Sequence, residues 1–168
     1  MLLVPTKLVL AWGIAVAVHE LSHYLALKFF CVDVNGICIS AAGIQMNIGE
    51  MSVVQELVCA LAGPMGGLCL LLFSKWLPCT AVCGFVQSVF NLLPIYPLDG
   101  GRALLCMFRK LFGNSLGEKV SKAMGIICIV IIFVLAGCLF VRFDMGAVSL
   151  IVCGVFLFKF KLANKGNK

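Results

Sequence analysis

Residues 14–30 read IAVAVHELSHYLALKFF. The surrounding apolar run extends from Leu8 to Phe30. At about 1.5 Å per helical residue it can cross a hydrocarbon core of about 30 Å. Inside it stand His19, Glu20 and His23, the first and last of which are the chain's two histidines. A lipid-length helix holding three ionisable groups frames every later question about this chain. Its context agrees: of 168 residues, 62% are hydrophobic and 12% charged, with mean hydropathy +1.13. A soluble domain needs far more charge to cover its surface. The expected fold class is an all-α polytopic membrane protein with about five transmembrane helices.

The formal net charge of +6 raises the possibility of a nucleic-acid partner. No basic stripe on a soluble module exists to bind one, and the Lys and Arg residues flank apolar runs instead. Positive-inside topology accounts for that placement. The ten cysteines are scattered through apolar segments, as at Cys59, Cys69, Cys106, Cys128, Cys138 and Cys153. They read as small packing residues rather than a disulfide framework. The first apolar run lacks a basic leader of any strength and a small-residue cleavage site, so it is expected to be retained.

After the first helix, residues 32–51 contain Asn35-Gly36 and Gly43, and Ile44, Met46 and Ile48 alternate with Gln45 and Asn47. A period of two favours a short β-hairpin or a re-entrant segment. Val53–Leu77 is a second span, carrying the small-residue patch LAGPMGG at 61–67 that permits close helix approach. Thr80–Leu93 is a third run, short for a full crossing. It stops at NLLPIYPLDGGR, residues 91–102, whose two prolines interrupt a regular helix. Asp99-Gly100-Gly101 reads as a turn. Leu104–Phe112 reads as an interfacial amphipathic helix, Ala123–Val141 as a further span and Met145–Phe158 as a last, marginal one. With five spans, the basic segment 102–122 and the lysine-bearing tail share one side, which positive-inside makes cytoplasmic. The amino terminus is then outside, the carboxy terminus cytoplasmic, and the 32–51 segment also faces the cytoplasm.

His19 and His23 are four residues apart, about 40° apart around a helix and about 6 Å along it. Both imidazoles can meet one metal ion. Glu20 is offset by about 100°, badly placed as a ligand but well placed to touch a metal-bound water. This is the H-E-x-x-H arrangement of zinc hydrolases. Two core histidines bonded to neighbouring helices are the bland alternative. Burying three polar groups mid-bilayer, at roughly 3 kcal/mol or more per charge, is an odd expense for packing alone. Hydrolytic zinc takes three protein ligands and a water. With no third histidine, a carboxylate or thiolate must complete the set. Asp33, Glu50, Glu56, Glu118 and Asp144 lie near expected membrane edges. Asp99 follows a broken helix, where non-helical backbone at membrane depth lines a buried site. It is the expected third ligand, against the alternative of an ordinary Asp-Gly turn.

HELSH at 19–23 followed by NLLPIYPLDGGR at 91–102 resembles the site-2 protease family of intramembrane zinc metalloproteases, peptidase family M50, with closer likeness to its sporulation-type branch. That family's motifs have the forms HExxH and N-x-x-P-x-x-P-x-D-G, and both match residue by residue. LAGPMGG also resembles the family's A-G-P patch, although relatives often carry Asn where Gly66 or Gly67 stands here. The likeness covers about residues 8–112. It implies one zinc ion per chain on His19, His23 and Asp99, with Glu20 as catalytic acid/base and Asn91 near substrate or oxyanion. Sporulation-type relatives usually have one more helix before the HExxH helix and often a later cytoplasmic domain, and neither is seen in this sequence.

The expected organisation is one intramembrane metalloprotease domain over residues 1–168, with a catalytic core at about 8–112 and further helices at 117–161. The expected function is hydrolysis of peptide bonds in membrane-anchored or membrane-spanning protein substrates near the cytoplasmic side, transcription factor precursors among them. The expected location is the bilayer of a bacterial cell membrane, with no nucleic-acid partner. A strand edge at 43–49 could hold an extended substrate by strand addition. The alternatives are a divalent-metal transporter, which also needs intramembrane His and Asp, and a catalytically inactive scaffold relative.

Overall fold

A computed structural model describes residues 6–32, 34–40, 43–48 and 51–143. Helix α1 covers Thr6–Phe29. Its buried residues Ala11, Ala15, His19 and Leu27 fall on a row spaced by fours, and side chains in such a row share one face. His23 belongs to the same row. Leu8, Leu10, Trp12, Leu21 and Leu25 point outward.

Strands β1 (Val34–Ser40) and β2 (Gly43–Ile48) form an antiparallel two-stranded sheet. Ile37 pairs with Met46 and Ile39 with Ile44, with a register irregularity between Val34 and Gly36. Helix α2 (Val53–Cys69) starts at a capping box. Gln55 N–H donates to Ser52 Oγ and Ser52 N–H donates to Gln55 Oε1, so two otherwise orphaned donors are satisfied. Pro64 lies within α2, where it withholds one backbone donor. The helix tightens into a 3-10 turn at Leu70–Phe73. α1 and the 53–73 segment are each long and apolar enough to cross a membrane.

Helix α3 (Pro78–Asn91) has 14 residues and begins with proline, which is pre-set for a first helical turn. Its length, about 21 Å at the helical rise, falls short of a full bilayer core. The chain then turns through residues 92–98, and Arg102 N–H donates to Leu98 O at 2.9 Å to open helix α4 (Asp99–Phe112). Asp99-Gly100-Gly101 therefore forms the first turn of a helix, correcting the expectation of a turn there. Packing overrides the poor helix propensity of the two glycines. A Cβ on Gly100 would overlap Leu92 O, and one on Gly101 would meet the Ile95 and Tyr96 backbone.

Gly113, at φ 82°, ends α4 in a conformation that suits residues without a Cβ. Helix α5 (Asn114–Phe143) then runs for 30 residues. It starts earlier than the apolar run at Ala123, and Arg109 pairs across the turn with Glu118 at 2.8 Å. Ile95 and Leu98 are buried against Cys128, Ile129 and Ile132 of α5. The loop between α3 and α4 is thus braced from behind by α5. Asp33, Glu50, Asp144, the 145–158 run and the basic tail lie outside the described residues.

Candidate metal centre

The site forms where α1, α3 and α4 meet. α1 presents His19 and His23 from successive turns. α4 presents Asp99 from its first residue, delivered by the loop that Pro94 and Pro97 keep from continuing α3. His19 Nε2 lies 3.1 Å and His23 Nε2 3.3 Å from Asp99 Oδ2. The two Nε2 atoms are 3.3 Å apart. All three ligand atoms fall within 4.8 Å of one another. His19 is 3% and Asp99 9% exposed. The last residue of α3, Asn91, brings Nδ2 to 3.5 Å from His19 Nε2. Glu20, on the adjoining face of α1, is half-buried.

His23 Nδ1 donates to the backbone carbonyl of Cys59 on α2 at 2.7 Å. That bond commits the ring hydrogen to Nδ1 and turns the Nε2 lone pair toward His19 and Asp99. Acceptor atoms gathered this closely and buried from solvent repel one another unless a proton or a metal cation lies among them. Two imidazole nitrogens and one carboxylate oxygen form a donor set suited to zinc, with three protein ligands leaving a position open for chemistry. The residues present therefore fit such an ion.

Close helix approach makes the convergence possible. A Cβ on Gly63 would overlap the His23 imidazole, and one on Gly66 would overlap Ser22 Oγ. Ser22 itself turns inward and donates to Val18 O at 2.8 Å. One turn beyond Gly63, a Cβ on Gly67 would overlap Ser88 Oγ and come within 3.1 Å of Gly84 O on α3. The glycines of the 61–67 patch thus form the wall against which the histidine helix and α3 rest. The sequence marks that patch as a contact surface. Nothing in it shows that the histidine rests on Gly63 or that the Cys59 backbone orients the ring.

A half-length helix, a proline-broken loop and a His-His-Asp cluster inside apolar helices together make a site that could hold a metal ion. The sequence profile of peptidase family M50 matches residues 71–135. The chain is 27% identical to a zinc metalloprotease of Methanocaldococcus jannaschii over 153 residues, which is 83% of this chain and 45% of that protein. It is 28% identical to stage IV sporulation protein FB of Bacillus subtilis over 120 residues, 62% of this chain and 41% of that one. The fold is similar to the solved site-2 protease from Methanocaldococcus jannaschii, with TM-score 0.62 and 25% identity over 96% of this chain and 78% of the other. The chain is thus similar to peptidase family M50 over residues 71–135 and to a site-2 protease in fold. It spans less than half the length of the curated relatives it matches.

Proposed function

We propose that this chain is a zinc-dependent intramembrane endopeptidase that hydrolyses peptide bonds of membrane-anchored or membrane-spanning proteins. The observation that carries the reading is the meeting of His19 and His23 with Asp99, which lies 76 residues beyond His23, beside Glu20 in a sequence similar to family M50. His19, His23 and Asp99 would hold one zinc ion. Bound zinc supplies Lewis acidity that polarises a carbonyl and lowers the pKa of water to about 7. Glu20 takes up the attacking water's proton on its carboxylate and returns a proton to the departing amine. Asn91 Nδ2 points a donor into the same space, where it can bond the oxyanion that develops on the scissile carbonyl. Cys59 O keeps the His23 ring from rotating while charge shifts.

The catalytic core covers about residues 8–112, and α5 belongs with it to a single intramembrane domain. The basic segment 102–122 faces the cytoplasm, as does the carboxy terminus, in a bacterial cell membrane. Kinship with a sporulation protein supports a transcription factor precursor as the type of substrate. A peptide bond hidden in a helix must be unwound before attack, and β2 offers backbone groups to an extended strand. Replacing residues 44–48 with a proline-containing linker should lower cleavage and leave zinc content intact. Unchanged cleavage would remove the strand-addition role.

The deciding experiment co-expresses the chain with candidate membrane-anchored precursors, beside Glu20→Gln. The substitution should lower cleavage about 10²- to 10⁴-fold while purified protein keeps its zinc. Cleavage by Glu20→Gln at the native rate would sink the hydrolase reading. Zinc flux sustained by that variant would favour the transporter, which needs no base beside its first ligand.

A further inference from the structure

The two histidines differ in one respect. His23 has its Nδ1 hydrogen bonded to Cys59 O at 2.7 Å. His19 Nδ1 is buried and has no hydrogen-bond partner among the described residues. A ligating imidazole almost always donates its second ring N–H to an acceptor that fixes the tautomer and the ring angle. With Nε2 of His19 facing His23 and Asp99, the hydrogen belongs on Nδ1, so the unpartnered atom is a donor.

Another of the described residues' buried, unpartnered side-chain atoms is an acceptor, Oε1 of Gln87. Gln87 is 9% exposed, an unusual burial for a neutral amide inside apolar helices. Its place on α3 is set by helix register. Ala11 and Ala15 of α1 share a packing cluster with Cys83 of α3, and Asn91 of α3 reaches His19 of α1. The two helices therefore advance in the same direction. One turn beyond Ala15 stands His19, and one turn beyond Cys83 stands Gln87. Gln87 also precedes Asn91 by one turn, so both amides belong to the α3 face turned toward α1.

We propose that Gln87 is the positioning residue for His19: its carboxamide oxygen accepts the Nδ1 hydrogen when the ring ligates metal, as Cys59 O does for His23. Both atoms are unpartnered in this structure, so the pairing requires the Gln87 side-chain torsions to rotate. Each orphaned polar atom then satisfies the other, and both ligating rings are held from behind by a different helix. This inference rests on the zinc reading above.

The test measures zinc affinity rather than turnover. The full chain is purified in detergent and stripped with chelator, then titrated with Zn²⁺ against a chromophoric competitor. Gln87→Leu should weaken zinc binding about 10- to 100-fold. Gln87→Glu keeps an acceptor at the position and should bind within about threefold of the native protein or more tightly. Native-like affinity in Gln87→Leu overturns the proposal, as does a tenfold loss in Gln87→Glu. A native chain whose zinc binding is unaffected by His19→Ala removes the zinc site itself, a separate failure. If the Gln87 variants do not fold, the native protein decides. With two histidines in the chain, ¹⁵N-histidine spectra of the zinc-loaded form resolve each ring. The His19 Nδ1 hydrogen should be protected from exchange and show cross-relaxation to the Gln87 amide. Rapid exchange, or a different acceptor, overturns the assignment.

Discussion

The inner and outer faces of this helix assembly invert the pattern of a soluble protein. Inside, most of the buried apolar residues are small: Ala11, Ala15, Cys59, Ala60, Ala81, Cys83, Ala103 and Cys106, with Leu27, Leu70, Ile95 and Leu98 as the larger exceptions, and Gly63, Gly67, Gly100 and Gly101 are buried beside them. Outside stand the large apolar side chains, Leu25, Leu72, Phe73, Trp76, Ile127 and Phe133 among them. In water this arrangement would expose the groups that most favour burial. In lipid the hydrophobic effect no longer sorts large from small. Helices associate through close packing of small residues, and bulky side chains meet acyl chains. The ionisable groups follow the same division, since His19 and Asp99 are buried in the small-residue interior.

That contrast can be broken from the inside. Gly63→Leu puts a branched side chain where the His23 ring lies. It should cost at least about 100-fold in zinc affinity, the upper range for a displaced ligand support, and overpacking should destabilise the fold by about 1–3 kcal/mol. Zinc titration and reversible unfolding in mild detergent measure the two effects. Retained affinity would show that α2 does not define the site wall. Gly100→Ala comes next. Its Cβ would meet backbone carbonyls of Leu92 and Leu93, which cannot rotate aside as a side chain can. A loss of about 1–3 kcal/mol is expected, together with weaker zinc binding because α4 can no longer hold Asp99 against the loop.

The outer face supplies the smallest effect and the control. Leu25, 57% exposed, should tolerate Leu25→Ala with a stability change within about 0.5 kcal/mol and no change in zinc affinity. If instead this substitution matched Gly63→Leu in effect, Leu25 would be a packing residue and the inside-out reading would fail for α1.

The parts of the site legible in the sequence share one property: local geometry defines them. Four residues of separation place His19 and His23 on one face of any helix, and Glu20 follows at a fixed angle. Asn91 and Asp99 were legible more weakly, through the prolines that end one helix and a carboxylate just beyond. The helical start at Asp99 was not legible, because Gly100 and Gly101 are poor helix formers in isolation. They are helical here because only a residue without a Cβ lets α4 begin against the 92–96 backbone. The Cys59 carbonyl was invisible for another reason. Every residue has a carbonyl, and nothing in a residue's type tells which one faces an imidazole. Gln87 carried no signal either, as a single polar residue in a short apolar run.

Composition and spacing alone were enough to establish a lipid-embedded helical chain with two imidazoles on one face and a proline-broken segment far downstream. Those inferences need only hydropathy and the helical repeat, which depend on neighbours in sequence. The tertiary structure decided that Asp99 reaches the imidazole pair, that glycines of α2 form the wall behind His23, and that α5 braces the connecting loop. Each of these is a contact between distant segments. In a bilayer such contacts depend on shape fit between helix surfaces, which no hydrophobic pattern along the chain encodes.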